Sequence, residues 1–198
     1  MTDSLQDKID RIYAALGTSV EKDMTRLPAE VTSTPRFLRI HQDFSGAQSQ
    51  AELENLAYSL VHNIANLRDH LRKWAKAHGK DPDAVDQAVE ECAPLQTICD
   101  LSNADKHGGH GRQTWSGRRP SLANVTRVLR LTTKPEKGSR VVARLGRIPR
   151  ISGDGTAEAI LTGEVVDENG QTVGTLHALA AEGVRAWEKL LRDYKIGP

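Results

Sequence analysis

The fold that we expect for this chain is decided by the stretch LENLAYSLVHNIANLRDHLRKW, residues 53–74. Its apolar side chains recur at intervals of three and four residues, which is the spacing of one face of an α-helix. The repeat predicts one long helix over residues 48–78, ended by Gly79 and by Pro82 three residues beyond it. The apolar seam of this helix consists of Leu53, Leu56, Leu60, Ile64, Leu67, Leu71 and Trp74.

Two further helices are expected before and after the long one. The first covers residues 3–24 and the second covers residues 82–107, for which Asp81 is a suitable N-terminal cap. Pro94 lies inside the second helix, so a kink or a break is expected there because the proline ring clashes with the preceding turn. Residues 26–37, RLPAEVTSTPRF, contain two prolines and several hydroxyl residues, which predict a loop.

After Gly108 the pattern changes from helical to β-rich. Residues 109–120 contain turn residues without a helical repeat, and they predict an exposed, mobile loop. The DENG segment at 167–170 predicts a hairpin turn, since Asn-Gly readily adopts two positive φ angles. A closing helix is expected at 178–195. The β-rich stretches are 123–133, 139–151, 156–167 and 171–177.

This order of elements predicts an α+β protein with an N-terminal helical bundle, a small antiparallel β-meander and a C-terminal helix. We divide the chain into a helical region, residues 1–108, and a basic meander with its closing helix, residues 109–198, packed as one unit. Its 198 residues are enough for one good core. No apolar run is long enough for a membrane helix, and the acidic start does not look like a secretory signal, so we expect a cytoplasmic protein with no membrane partner.

Charge is distributed unevenly along the chain, although the formal net charge is only +1. Residues 107–150 contain eleven Lys or Arg residues and one acidic residue, Glu136, so this segment carries +10 and the remainder carries −9. A basic segment of this kind indicates an anionic partner such as RNA. Alternatively, the basic strands pair with acidic neighbours, since Glu158 and Glu164 lie on a predicted adjacent strand.

Candidate nucleic-acid contacts lie on the predicted loop and on the basic strands. Trp115 stands among arginines, an arrangement suited to base stacking combined with phosphate contact. The same tryptophan would equally serve to cover the edge of the core. The candidates for contact with RNA are Arg112, Trp115, Arg118, Arg119, Arg144 and Arg147.

Polar residues on the helix predicted at 82–107 form a second set of candidates. They are spaced by four, three and four residues, which places them in one stripe. Lys106 lies at the edge between this stripe and the apolar face. On the long helix, Asn63 and His70 flank the leucine seam, and antiparallel packing would bring the polar flanks together in a shared cleft. The stripe consists of Gln96, Asp100, Asn103 and His107.

The long helix carries LAYSLVHNIANLRDHLRKW, and the next helix ends LSNADKH. Together these segments, within residues 50–107, resemble the HEPN superfamily of small helical domains. Members of this family are typically two-fold dimers, and many are metal-independent endoribonucleases, often toxins of toxin–antitoxin or phage-defence systems. The family signature is an arginine, usually followed by a polar residue such as Asn, and then a histidine. Asn103 and His107 stand in the matching places, and Ser102 occupies the position of the arginine.

The resemblance implies an RNA-binding homodimer that needs no metal or cofactor, with an antitoxin as a further protein partner. Cleavage of RNA requires a group that takes the 2′-hydroxyl proton, a cation near the phosphate and a proton donor for the leaving oxygen. An imidazole can fill the first or the third role near neutral pH. In this interpretation His107 is the acid or base, Asn103 orients it or the phosphate, and Lys106 and Arg112 contact the phosphate. Asp100 completes the candidate catalytic set.

The same polar stripe also has a structural interpretation, in which its residues cap helix carbonyls and link the loop to the bundle. A histidine near a helix C-terminus is favourable in any case. The protein would then be a non-catalytic protein–protein interaction module whose leucine seam partly faces a partner. A zinc site is disfavoured, because structural zinc sites use closely spaced pairs and the two cysteines are seven residues apart. Its ligands would be Cys92, Cys99, His107 and His110.

Overall fold

The computed structural model describes residues 5–16, 29–33, 38–42, 48–108, 113–144 and 147–196. In these residues the predicted α+β class is confirmed, with helices before the main antiparallel sheet and one helix after it. The helices are α1 Leu5–Leu16, α2 Gln50–Ala77, α3 Asp83–Glu90, α4 Ala93–His107 and α5 Leu176–Asp193. The strands are β1 Ala29–Ser33, β2 Leu38–Gln42, β3 Ser121–Thr132, β4 Arg140–Arg144, β5 Arg147–Ser152, β6 Thr156–Val166 and β7 Thr172–Thr175.

The predicted long helix is confirmed as α2, and a capping box defines its start. The hydroxyl of Ser49 accepts a hydrogen bond from the backbone N–H of Glu52, and the Glu52 carboxylate accepts one from the backbone N–H of Ser49 at 2.7 Å. The bond from this N–H is the main reason why the pKa of Glu52 is lowered. Most of the leucine seam is buried within this chain and Leu56 is its exposed member, so the buried part of the seam does not face a partner. The fully buried seam residues are Leu53, Leu60, Ile64, Leu67 and Leu71.

The helix predicted over 82–107 is divided into α3 and α4, as Pro94 led us to expect. Pro94 occupies the first turn of α4, where a missing N–H breaks no helical hydrogen bond. The N-cap position of α3 is occupied by Pro82, one residue after the predicted Asp81. Asp81 lies beside it, and its Oδ1 accepts a hydrogen bond from the backbone N–H of Asp83 at 2.9 Å. Gly108 ends α4 in the left-handed conformation, with a φ of 63°.

The loop predicted for residues 26–37 is wrong in part, because β1 lies inside it. β1 pairs antiparallel with β2, with Val31 opposite Ile40 in the register. The two prolines flank β1 in the sequence and do not interrupt it, so every residue of the strand keeps the N–H that a ladder needs. The prolines conceal a short β-branched segment that itself favours a strand. The extension of the first helix from Leu16 to residue 24 lies outside the described residues.

The main sheet has the strand order β3–β6–β7 and is antiparallel throughout. The β-rich stretch at 139–151 forms two strands, β4 and β5, which pair in a separate hairpin. The missed signal is the glycine at position 146, since an isolated glycine in a strand pattern favours a bulge or a turn. The hairpin predicted at DENG is confirmed, because β6 and β7 pair antiparallel across it and the N–H of Gly170 binds the carbonyl of Asp167. The expected pair of positive φ angles is wrong, since Gly170 has a φ of 75° and Asn169 does not have a positive φ.

One continuous hydrophobic core joins the helices to the main sheet, and α5 lies at its centre. Trp187 of α5 is 1% exposed, and its indole N–H donates a hydrogen bond to the carbonyl of Ile64 in α2 at 3.0 Å. The core cluster also includes Val125 of β3 and Leu161 of β6. The closing helix therefore connects the long helix to the sheet.

Replacing Trp187 by Phe should lower the free energy of unfolding by about 1–3 kcal/mol, because the variant loses buried ring volume and one hydrogen bond. Urea unfolding followed by circular dichroism measures the change. Trp74→Phe is the matched control, since Trp74 is only partly buried and stacks on His78. An equal loss in both variants would contradict the central position of Trp187.

Candidate functional site

A buried carboxylate holds the loop after α4 against the helices. Asp100 is 3% exposed, and both of its oxygens accept hydrogen bonds from the loop. Its Oδ1 accepts one from the backbone N–H of Trp115 at 2.9 Å, and its Oδ2 accepts two from Ser116, from the N–H at 2.8 Å and from the hydroxyl at 2.6 Å. The prediction of a mobile loop is therefore corrected for residues 113–120, because a satisfied buried carboxylate anchors this part. Asp100, a candidate for catalysis, has its oxygens engaged in positioning the loop.

This anchoring places Trp115 beside Arg68 of α2. The guanidinium carbon of Arg68 lies 5.0 Å from the centroid of the indole ring, within the range of a cation–π contact. The Nε of Arg68 donates a hydrogen bond to Oδ1 of Asp86 in α3 at 2.7 Å, and Arg72 binds the other oxygen of the same carboxylate. Trp115 also packs against the hydrophobic core, as its second interpretation predicts. Trp115 thus connects the loop to Arg68 of α2, and Arg68 connects it in turn to α3.

An open cleft of about 580 Å³ lies beside this tryptophan. Its volume is within the range of small-molecule binding sites. The cleft contains two of the four stripe residues, so the shared face that the spacing predicts is confirmed for this pair. Asn63 and His70, which were expected in the cleft, are not among its lining residues. Arg68, Asp69 and Glu90 line the cleft from α2 and α3, Gln96 and Asn103 line it from α4, and residues 113–115 line it from the loop.

A second polar cluster joins α2 to the C-terminal half of α4. His62 places Nδ1 2.9 Å from the hydroxyl of Ser102 and Nε2 2.8 Å from Oδ2 of Asp105. Lys106 donates a hydrogen bond from Nζ to Oδ1 of Asn66 at 2.6 Å. Ser102, at the position of the family's arginine, is 1% exposed and faces this helix interface. His62 and Asn66 could not be predicted from the sequence, because the leucine seam identifies only the side of α2 that faces the core. It does not show which of the remaining sides of α2 packs against α4.

His107, the predicted acid or base, is exposed at the C-terminal end of α4. It follows Asn103 by four residues, so the two side chains lie on one helix face about 6 Å apart along the axis. Lys106 is also exposed, as are Arg118 and Arg119 on the anchored loop. The structure therefore brings Asn103 into the cleft with Trp115, and it leaves His107 at solvent one turn away.

The remaining basic candidates are only partly described. Arg112 lies outside the described residues. Arg144 and Arg147 are paired in register at the end of the β4–β5 hairpin, and their side chains lie outside the described part. Arg130 stands opposite Glu158 in the register of the main sheet, and the side chains of both residues lie outside the described part.

The described residues provide no metal-binding cluster, and burial makes the thiol of Cys99 unreactive. In it, no group of three or more His, Cys, Asp or Glu side chains is placed to hold a metal ion. Burial raises the pKa of Cys99 to about 12, so this thiol stays protonated at neutral pH and is a poor ligand and nucleophile.

None of the described helices is long and apolar enough to cross a membrane.

No protein-family model matches the chain, and neither a curated protein nor a solved structure is significantly similar to it. The resemblance to the HEPN superfamily therefore stays a prediction based on the two helical segments that carry it. An inference about function has to depend on the geometry of the site and on the chemistry of its residues.

Asp100→Asn should release the loop, because an amide has only one acceptor oxygen and its NH₂ group opposes the donors of Trp115 and Ser116. We expect the free energy of unfolding to fall by about 2–4 kcal/mol and the N–H groups of both loop residues to exchange faster with solvent. Ser116→Ala is the matched control. It removes one of the three donors, so its loss should be about 1 kcal/mol. Unchanged exchange at both N–H groups in Asp100→Asn would rule out the anchor.

Proposed function

We propose that the protein binds single-stranded RNA at the cleft between α2, α4 and the anchored loop. The observation that carries this proposal is the fixed Trp115 beside a cleft with amide side chains, with the exposed His107 one helical turn beyond Asn103. Aromatic rings and guanidinium planes stack on unpaired bases, and amides bind base edges, which is the usual way in which proteins recognise single-stranded RNA. The resemblance to the HEPN superfamily points to the same class of ligand.

The phosphates of the bound RNA would lie outside the cleft. Asp69 and Glu90 line the cleft, and their carboxylates repel phosphate. Exposed cations lie close in sequence to residues of the cleft. Lys106 is near the end of α4, three residues after Asn103, and Arg118 and Arg119 follow Trp115 on the loop. Lys106 uses one donor on Asn66 and has two further N–H donors for a phosphate. The base would thus enter the cleft while the backbone follows the basic surface.

We further propose that His107 transfers a proton in metal-independent cleavage of the bound RNA. The 2′-oxygen attacks phosphorus while its proton passes to a base, the bond from phosphorus to the 5′-oxygen breaks, and that oxygen takes up a proton. Ser102 stands in the place of the family's arginine, and the Ser102 side chain is buried against His62, so it cannot reach a phosphate. The cation that stabilises the charge on the phosphorane is therefore Lys106. A homodimer would supply a second His107, so that one imidazole acts as base and the other as acid.

The second candidate function is a non-catalytic protein–protein interaction module. It is favoured by the internal hydrogen bonds of Asp100, Ser102 and Lys106, each of which joins two parts of the same chain. In that case the polar stripe stabilises the fold, and an antitoxin or another protein binds the exposed surface. RNA would then be neither bound nor cut.

Incubation of the purified protein with mixed RNA in EDTA should give cleavage, and His107→Ala should lower the rate by about 10²–10⁴-fold because the proton-transfer group is removed. Binding of RNA should persist in this variant. His78→Ala is the matched control, since His78 is an exposed imidazole at the end of α2 and is not part of the cleft.

RNA affinity should also fall steeply between about 50 and 200 mM salt, because bound phosphates release counterions. A filter-binding titration at several salt concentrations measures this. The absence of cleavage, together with weak binding that does not respond to salt, would contradict both parts of the proposal and leave the interaction module.

A further inference from the structure

Two of the side chains that line the cleft use their hydrogen-bond donors within the protein. Arg68 is the one cation among the described residues that line the cleft, and its Nε is bound to Asp86 at 2.7 Å. A second nitrogen of Arg68 lies 3.7 Å from the carboxylate of Asp69. The amide nitrogen of Gln96 donates a hydrogen bond to the backbone carbonyl of Glu90 at 2.7 Å. The donors of Arg68 and Gln96 are therefore largely engaged within the protein.

Other polar groups of the cleft are open by contrast. Within the described ranges, the carboxylate of Glu90 has no hydrogen-bond or ion-pair partner, and the same is true of the side-chain amides of Asn103 and Gln113. Glu90 is exposed at the end of α3. A carboxylate accepts hydrogen bonds and donates none at neutral pH. A ligand group that binds Glu90 must therefore bring its own donors.

We propose that the base bound in the cleft is guanine, with Glu90 accepting its donors; this inference rests on the proposed binding of RNA. Guanine carries two adjacent donors on its Watson–Crick edge, the N1–H and the 2-amino group, and together they match the two oxygens of one carboxylate. Adenine, cytosine and uracil each present a single donor group there. The Arg68–Trp115 pair supplies the planar surface on which the base stacks. Asn103 and Gln113 are amides that can bind the remaining edge of the base.

The test is a binding titration with short 2′-O-methyl oligonucleotides, which cannot be cleaved because the attacking hydroxyl is blocked. Three oligouridines carry guanine, hypoxanthine or adenine at the central position, and hypoxanthine differs from guanine only in lacking the 2-amino group. The wild-type protein should bind the guanine oligonucleotide at least about fivefold more tightly than either of the others. Glu90→Gln should abolish this preference, so that this variant binds the three oligonucleotides with equal affinity.

Glu91→Gln is the matched control. Glu91 is the next residue, it is equally exposed, and it lines a different groove between α3 and α5. This variant should keep the guanine preference. Equal affinity of the wild-type protein for all three oligonucleotides, or a preference that survives in Glu90→Gln, would overturn the guanine assignment and leave RNA binding standing. Failure of every oligonucleotide to bind would overturn both the assignment and the proposed function.

Discussion

The candidate site depends on the carboxylate of Asp100. A buried carboxylate is costly unless its oxygens are hydrogen-bonded, and here three donors from Trp115 and Ser116 satisfy it. The chain that leaves α4 must therefore return to the helices at this point. Trp115 is thereby placed against Arg68, and Arg68 is held in turn by Asp86. The cleft forms where these elements meet, and none of them would form it alone.

Much of the helical part of the fold can be predicted from the sequence, because its signals act over a few residues. Pro94 breaks a helix within one turn, and Asp81 accepts a hydrogen bond from the first residue of the helix that starts beside it. The strands are harder, because their partners are remote in sequence. In residues 139–151 the sequence pattern is the same for one long strand as for the β4–β5 hairpin. At β1 the flanking prolines predict a loop, and the partner strand β2 comes only after the second proline.

The site could be predicted only in part, for a related reason. The helical period predicts that Gln96 and Asn103 share a face, and both do line the cleft. The period does not show that Asp100, between them in the same stripe, turns to backbone donors 15 and 16 residues away. Nor does it show that His62 meets α4 across about 40 residues of chain. A polar side chain on a helix has the same sequence pattern whether it meets water, another helix or a ligand.

The central claim is that RNA binds beside the tryptophan that Asp100 holds in place. The chain has three tryptophans, so a ¹H–¹⁵N spectrum contains three indole N–H signals. Addition of a single-stranded oligonucleotide should shift the signal of Trp115 and leave that of the buried Trp187 in place. If RNA binds while the Trp115 signal stays unmoved, the RNA lies on another surface and the cleft has been assigned the wrong role.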